Sequence, residues 1–422
     1  MMNISDSQEI RRFKIFTFGC QMNEDDSNKI RDLLILKGFT ETDSDKNADI
    51  ILINTCTVRQ HAEDKAFSLA GSLKKWKKSN KILIVMGCAV ERSGELMKKR
   101  FPYIDHIVGA KSYERVFKII EEIPVQTSQS PKEQPKPIYS SYQTISKGCS
   151  MNCSYCIVPS VRGPLRHIAF DKIIKEVKEK AEQGSFEITL LGQTVNAYRY
   201  ENYDFVDLIK ALSDIEKIKV IKFMSPHPLF FNKSFFKEYE KNRKISRHIH
   251  IPLQSGSDRI LKTMKRGYTY DEFKKMVNML READPLTSLT TDIIVGFTGE
   301  TNEDFLASIK AVEELGFSKV YCFKYSPRFS DRFLKDISDK EIEKRHSIML
   351  SKAKEVAANI LESKKGSIED VIVWDFPYGK TISDYNCCII DNKEKLNAGD
   401  VIKAEIVNAK PQTLIVRRIY DT

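Results

Sequence analysis

No stretch of this 422-residue sequence approaches the roughly 18 uninterrupted apolar residues that a membrane-spanning helix requires. The leading segment, Met1 to Arg12, is polar and of mixed charge. It lacks the apolar core of a secretion signal, so a cytoplasmic protein without membrane attachment is expected. Short-period repeats are missing too. Neither charge sign dominates: 68 Lys and Arg against 58 Asp and Glu leave +10, a thin surplus that suits a polyanionic partner no better than an ordinary lysine-rich surface. What is present is an ordinary globular composition, 41% hydrophobic, 10% aromatic and 30% charged, which excludes wholesale disorder and fibrous architectures.

Proline gathers in one place. Pro124–Pro137 (PVQTSQSPKEQPKP) sets four prolines among polar residues and reads as a linker over 124–138. A softer boundary lies at Lys364-Lys365-Gly366, after a long helical pattern. The expected domains are 1–123, 139–360 and 361–422. In the first, strand patterns at Phe13–Phe18, Asp49–Ile53, Lys81–Met86 and His106–Gly109 alternate with helical spacing at Asp26–Lys37, His61–Lys77, Glu91–Arg100 and Tyr113–Glu122. Such alternation argues for a parallel sheet covered by helices. In the middle domain six strand patterns recur, at Tyr139–Ser146, Phe186–Leu191, Lys219–Met224, His248–Leu253, Thr290–Val295 and Lys319–Tyr325, with helical stretches such as Phe170–Gln183, Tyr270–Glu282 and Asn302–Glu314 between them. Six βα units point to an open or closed α/β barrel, with a flat doubly wound sheet as the alternative. The last domain has only short β-rich runs (Asp370–Trp374, Asn386–Ile390, Asp400–Val407, Thr413–Ile419), which suggests a small antiparallel barrel, a common shape for binding RNA.

Nine cysteines in a chain expected to be cytosolic point to metal rather than disulfides. The strongest pattern is Cys149-x3-Cys153-x2-Cys156, just past the first barrel strand, on the end where barrel active sites occur. A short loop of this spacing can fold three thiolates around one cubane cluster. Three irons are then held and the fourth is left to chelate a small molecule. Structural zinc is the alternative. Zinc ribbons use paired C-x2-C knuckles and a fourth protein ligand, and the nearest further candidates here, His167 and Cys322, form no second knuckle. The C-x3-C-x2-C loop resembles that of the radical S-adenosylmethionine superfamily. There the open iron binds the amino and carboxylate groups of the cofactor, and an electron cleaves its sulfonium to a 5′-deoxyadenosyl radical.

A second triplet is scattered. Gly19-Cys20, Thr55-Cys56 and Gly87-Cys88 each follow a strand pattern of the first domain within a few residues. The carboxyl ends of parallel strands form one edge, where ligands gather. Taken singly, each cysteine reads as a small buried residue; the recurrence at three equivalent strand ends favours three converging thiolates and another cluster with an open iron.

With these residues in place, the sequence resembles the methylthiotransferases over nearly its whole length. The resemblance implies an N-terminal methylthiotransferase domain, a partial (β/α)6 radical barrel and a C-terminal TRAM barrel. Gly19-Cys-Gln-Met-Asn23 with Asp26-Ser27, and Leu190-Leu-Gly-Gln193 with Val195-Asn-Ala-Tyr198, are most similar to the MiaB-type branch. The branch acting on threonylcarbamoyl-adenosine usually reads G-C-K-x-N at the first site, and the branch modifying a ribosomal-protein aspartate G-C-P-K-N. The resemblance implies two 4Fe–4S clusters, at Cys20, Cys56 and Cys88 and at Cys149, Cys153 and Cys156, and S-adenosylmethionine. Gly192 and Gln193 would meet its methionyl amino group. Ser225 and His227, with Gln254 and Ser255, would line the cofactor and substrate cavity, though loop and cap chemistry explains these four about as well. The implied reaction is methylthiolation at C2 of N6-dimethylallyladenosine in a tRNA anticodon stem-loop, by a monomer served by a flavodoxin- or ferredoxin-type electron donor and a sulfur donor. The other two substrates of the family, and a non-catalytic RNA-binding protein holding zinc, are the alternatives.

Three places depart from the family pattern: Thr298 stands where proline is usual, Ser326–Asp331 replaces S-x-R-x-G-T, and Pro-Leu-Arg166-His167-Ile168 follows Arg162-Gly163 in place of a run ending in Ser-Arg. None touches the six cysteines. Cys322 reads as core, Cys387 and Cys388 as strand neighbours facing opposite sides, and His248 and His250 as packing residues. Residues 361–422 carry 9 basic and 10 acidic side chains, so a grip on RNA there would rest on local contacts such as Arg417, Arg418 and Tyr378.

Overall fold

Ile50-Ile-Leu-Ile-Asn-Thr is buried at every position, its first four residues apolar, because both faces of its strand are covered, as happens in parallel sheets flanked by helices. In the computed structural model, which describes residues 11–57, 60–124, 138–329, 333–390, 396–411 and 413–420, this strand is the middle of five. The linker expected over 124–138 lies outside the described residues except at its two ends, as do Ser330 and Asp331. The described residues form two compact units. One takes those of Met1–Lys136 with Lys147–Ser150 and Cys156–Leu165; the other takes those of Pro137–Ser146, Met151–Tyr155 and Arg166–Thr422.

The first unit holds strands β1 (Arg12–Thr17), β2 (Thr40–Glu41), β3 (Ile50–Thr55), β4 (Ile82–Gly87) and β5 (His106–Gly109), all parallel, in the order β2-β1-β3-β4-β5. Helices α1 (Gln21–Leu36), α2 (Gln60–Ser72), α3 (Cys88–Arg100) and α4 (Glu114–Glu122) cover it, and the short α5 (Val158–Arg162) joins the same unit. The period of two along each strand sorts the core. Ile50, Leu52, Ile84 and Met86 pack with Ile30, Leu34, Val116 and Ile120 of α1 and α4. Ile51, Ile53, Leu83 and Val85 pack on the other face with Ala66, Ala70, Val90 and Met97 of α2 and α3. Each such aliphatic side chain contributes about 1.5–3 kcal/mol on burial. Helix α1 starts five residues before the expected Asp26: Asn23, Asp25 and Asp26 are buried polar residues that hide its first turn from hydrophobic periodicity.

In the second unit, β6 (Ser140–Thr144), β7 (Glu187–Leu191) and β8 (Val220–Phe223) form one parallel sheet, and β9 (His248–His250), β10 (Ser288–Val295) and β11 (Lys319–Lys324) another. A parallel bridge from Ile221 to Ile245 joins them. Strand order therefore follows chain order from β6 to β11, whereas a doubly wound sheet reverses direction at its switch point. Among the described residues no pairing links β6 to β11, so this is the open, partial (β/α)6 barrel. Helices α6 (Phe170–Glu182), α7 (Phe205–Ser213), α8 (Lys233–Lys241), α9 (Asp258–Thr263), α10 (Tyr270–Ala283), α11 (Asn302–Leu315) and the long α12 (Asp339–Ser363) accompany these strands. Capping boxes at Asp204/Asp207, Thr269/Glu272 and Thr301/Asp304 fix where α7, α10 and α11 begin. Among the described residues no helix is long and apolar enough to cross a membrane.

Strands β12 (Ile368–Asp375), β13 (Tyr378–Thr381), β14 (Asn386–Ile389), β15 (Val401–Lys410) and β16 (Thr413–Arg418) close a barrel in the order β12-β13-β14-β16-β15. Sequence patterning missed β13, only four residues long with a glycine in it. The pair β14–β16 is parallel, unlike the other four. Alternate residues Val371, Val373, Cys387, Ile389, Leu414 and Val416 fill the barrel. Its β13–β14 turn docks against the amino ends of the α/β strands. Arg247 N–H donates to the Ile382 carbonyl at 2.9 Å, Ser383 to Leu286 at 2.8 Å, and Asp384 pairs with Lys222 at 2.6 Å. Burial would raise the Asp384 carboxyl, but Lys222 and Lys380 hold it down at about 2.

Candidate active site

Three neighbouring parallel strands place the scattered cysteines. Thr17 pairs with Asn54, and Asn54 with Met86, so β1, β3 and β4 end level with one another. Cys20 follows β1 and caps α1, Cys56 follows β3, and Cys88 opens α3 directly after β4. All three thus lie on the carboxyl edge of one sheet, Cys20 exposed, Cys56 and Cys88 buried. The preceding glycines are required there. A Cβ on Gly19 (φ +150°) would lie 2.8 Å from Cys56 Cβ, and one on Gly87 (φ +108°) 2.3 Å from the Thr55 carbonyl. Behind the thiols a buried amide network locks α1 to β3. Asn23 donates to Asn54 Oδ1 at 2.8 Å and to the Thr55 carbonyl at 3.0 Å, and Asn54 donates back to the Asn23 carbonyl at 2.8 Å. Burial, reinforced by Cys56 and Cys20, pushes the Cys88 thiol up to about 11 against the opposing pull of Arg162. Metal binding here would displace protons.

Arg162, at the end of α5, donates from Nε to Cys88 Sγ at 3.2 Å and from Nη2 to Asn23 Oδ1 at 3.2 Å, and approaches the Asp26 carboxylate at 3.8 Å. Burial alone would lower its basicity, but Cys88 and Asp26 raise it, so it stays charged. In the sequence Arg162 stands before Gly163 with no signal of a role of its own.

The loop of Cys149, Cys153 and Cys156 follows the carboxyl end of β6. Cys149 and Cys156 are counted with the first unit and Cys153 with the second. Cys149 N–H donates to the Gly163 carbonyl at 3.1 Å. Ser154 fixes the Cys153 side of the loop to the end of α9, its N–H reaching Met264 at 3.0 Å and its hydroxyl Thr263 at 2.9 Å. Arg266 donates from Nη1 to Cys153 Sγ at 3.3 Å, from Nη2 to the Pro252 carbonyl at 3.1 Å and from Nε to the Tyr268 hydroxyl at 3.0 Å. No sequence signal marked Arg266; only the folded chain brings it 113 residues back to the cysteine.

Among the described residues no three His, Cys, Asp or Glu side chains converge to chelate a single ion. The donor sets are nevertheless chemically uniform, two triplets of thiols, each with a buried guanidinium on one sulfur. Uniform thiol donors with nearby N–H groups suit an iron–sulfur cluster, whose ligands stand apart around several irons.

The remaining candidates cluster at the carboxyl ends of the barrel strands. Gly192 closes β7, where a Cβ would lie 2.4 Å from Ser146 Oγ, and Gln193 follows it, partly buried. Ser225 has φ +58° after β8. His227 is buried between Asn196, which accepts nothing from its ring but brackets its backbone at 2.8 and 3.0 Å, and the rings of Phe230 and Tyr268. Burial and Arg266 push His227 down to about 3, so it is neutral. Gln254, φ +77°, continues the sheet through Asp292 and Ile294 at 2.8 and 3.0 Å. The Ser255 hydroxyl is buried against Ser308 at 3.3 Å and accepts from the Ser257 N–H at 3.2 Å, a turn role. His248 and His250 both contact Thr290 Oγ1, at 3.1 and 3.0 Å, inside the barrel. Cys322 is half-buried against the core, its thiol pushed up by burial to about 12. Cys387 faces the interior of the small barrel, while Cys388 is only half-buried. Thr298 donates to the Leu334 carbonyl at 2.8 Å, a bond proline would not make; Arg166 is exposed and His167 packs edge-on to Tyr198.

Residues 12–109 match the model described as "Uncharacterized protein family UPF0004", and residues 144–312 match the radical SAM superfamily. A protein of Thermodesulfovibrio yellowstonii called tRNA-2-methylthio-N(6)-dimethylallyladenosine synthase is 37% identical over 96% of this chain and 98% of its own length. One of the same name from Endomicrobium trichonymphae is 39% identical over 87% of this chain and 90% of its own. Among solved structures, the radical S-adenosylmethionine methyltransferase TsrM of Kitasatospora setae overlays with a TM-score of 0.54 at 13% identity, covering 75% of each chain. At that identity the likeness is one of fold.

Proposed function

This chain belongs to the family of tRNA-2-methylthio-N(6)-dimethylallyladenosine synthases, and from that premise we propose that it installs a methylthio group at C2 of N6-dimethylallyladenosine beside the anticodon of tRNA. It is a radical S-adenosylmethionine enzyme. The observation that carries the proposal is the pair of thiol triplets, one at the carboxyl edge of the first sheet and one on the loop after β6. Cys149, Cys153 and Cys156 would hold one 4Fe–4S cluster, and Cys20, Cys56 and Cys88 a second. Such clusters supply, when bound, an electron for cleaving S-adenosylmethionine and a site for the sulfur to be transferred.

The chain's own side chains prepare these places. Arg162 and Arg266 set fixed positive charge against cysteine sulfur. The amides of Asn23 and Asn54 hold the first edge rigid, and Ser154 fixes the loop. His227, neutral and with no partner for Nε2 among the described residues, offers a ring nitrogen near the carboxyl end of β8, alongside Gly192, Gln193, Ser225, Gln254 and Ser255 as the cofactor-lining group. The target C2–H is too weakly acidic for any of these groups to remove as a proton, so a radical cofactor is needed.

On this reading residues 1–123 form the auxiliary-cluster domain, 124–138 a connector, 139–360 the radical core and 361–422 a TRAM domain for RNA. The last exposes Phe376 and Tyr378, with Arg417 exposed and Arg418 over Tyr420. Aromatic faces and a few cations suit an unstacked single-stranded loop. A flavodoxin- or ferredoxin-type donor, a sulfur donor, a cytoplasmic location and a monomer complete the proposal. Mass spectrometry of tRNA nucleosides from a gene-deletion strain tests it: the 2-methylthio product disappears and N6-dimethylallyladenosine accumulates. Persistence of that product, with loss of a methylthio-threonylcarbamoyl nucleoside or of a methylthio-aspartate, would transfer the activity to another substrate of the family.

A further inference from the structure

Arg162 is 7% exposed, and a guanidinium that deep is tolerated only beside negative charge or acceptors. Asp26 answers this incompletely. Its nearest oxygen is 3.8 Å from Nη1, and its Oδ1 has no hydrogen-bond partner among the described residues. The shorter contacts run to Cys88 Sγ and Asn23 Oδ1, each at 3.2 Å. The fork is therefore aimed at the thiol edge more than at the carboxylate. Its aim is fixed by packing: Ile157 and Val161, beside and within α5, form one apolar cluster with Cys88. The second triplet has a counterpart. Arg266 is 5% exposed, places Nη1 3.3 Å from Cys153 Sγ, and spends its other nitrogens on Pro252 and Tyr268.

We propose that Arg162 is a positioning residue that sets the electron affinity of the cluster held by Cys20, Cys56 and Cys88, independently of the other cluster. This rests on the two-cluster reading above. Adding an electron makes a cluster more negative. A fixed cation and an N–H donor on a ligating sulfur favour that state, and they do so strongly where water is excluded. Arg162 lies six residues after Cys156, so the cation serving one triplet is carried on the chain that leaves the other.

Potentiometric titration followed by electron paramagnetic resonance, on anaerobically reconstituted full-length protein, tests this. Arg162→Gln keeps about eight irons while reduction of the auxiliary cluster becomes at least tenfold less favourable, about 59 mV for one electron; the other cluster does not move. Arg162→Lys, which keeps charge but not the fork, restores part of the shift. Arg266→Gln gives the reciprocal pattern. The double variant Arg162→Gln, Asp26→Asn removes the carboxylate that would otherwise be stranded, and must show the same shift. An unchanged auxiliary potential in both neutral variants, or an equal shift of both clusters, overturns the proposal and leaves the two-cluster reading standing. Auxiliary iron lost from the double variant as well makes Arg162 merely structural, which also overturns it. About four irons in the unsubstituted protein overturns both readings.

Discussion

On the proposed two-cluster reading, three thiols on one loop and three thiols at three strand ends would solve the same ligation problem with different dependence on the fold. Cys149, Cys153 and Cys156 span eight residues; of the bonds near them, that from Cys149 to Gly163 is close in sequence, whereas Ser154 reaches Thr263, 109 residues on, at the end of α9. Cys20, Cys56 and Cys88 stand 36 and 32 residues apart, and come to one sheet edge only because β1, β3 and β4 are neighbours in register. The sheet triplet therefore depends on that strand register, whereas the loop triplet is set by its spacing in the sequence. Both nonetheless converge on one feature, a buried arginine donating to one sulfur.

The largest effects should come from the cysteines. Cys153→Ala abolishes reductive cleavage of S-adenosylmethionine to 5′-deoxyadenosine, followed by chromatography, whereas Cys56→Ala retains that cleavage but forms no methylthiolated tRNA. Equal loss of cleavage in both variants would erase the distinction between the two sites.

Gly87→Ala forces a Cβ to within 2.3 Å of the Thr55 carbonyl at φ +108°, which costs roughly 2–4 kcal/mol in denaturant unfolding. Auxiliary iron should fall with it while the loop cluster persists. Ser154→Ala removes one hydroxyl bond to Thr263 and should cost only about 0.5–1.5 kcal/mol, with the opposite bias in iron loss.

The dock of the small barrel, made without any of the six cysteines, provides a control. Burial pushes His248 down to about 4, with Asp384 opposing and Lys222, His250 and Lys380 adding to the fall. The unfolded chain therefore takes up this proton first, near pH 6.5, and stability declines as pH falls from there toward 4, by on the order of 3 kcal/mol at most. Unfolding midpoints measured across that range should fall in the natural protein and fall less steeply in His248→Asn, where the buried His227 still contributes in the same direction, with neither iron set altered at pH 7. A flat profile in the natural protein contradicts the burial assigned to His248. Smallest of all, Cys388→Ser should change stability by less than about 0.5 kcal/mol and leave the iron content intact.

What the sequence made legible follows the same division. The loop triplet could be read directly, since its spacing is its geometry. The sheet triplet became legible only through topology, once three strand patterns were seen to end in cysteine. Apolar runs such as Ile82–Met86 and the periodic helices gave the layers, and six βα units in series gave the barrel. Helix α1 was read short because Asn23, Asp25 and Asp26 are polar yet buried, and β13 escaped because Tyr378–Thr381 is too short to show a period. Arg266 was invisible because a contact made across 113 residues leaves no local trace. Among the cavity-lining candidates, Ser255 accepts the Ser257 N–H in a turn, and His227 keeps an unpartnered Nε2 among the described residues.

Counting iron and acid-labile sulfide on anaerobically reconstituted protein, beside the triple variant Cys20→Ala, Cys56→Ala, Cys88→Ala, addresses the two-triplet claim most directly. The account predicts about eight of each per chain, falling to about four in the variant. About four in both proteins, or zinc in place of iron at either triplet, would contradict it.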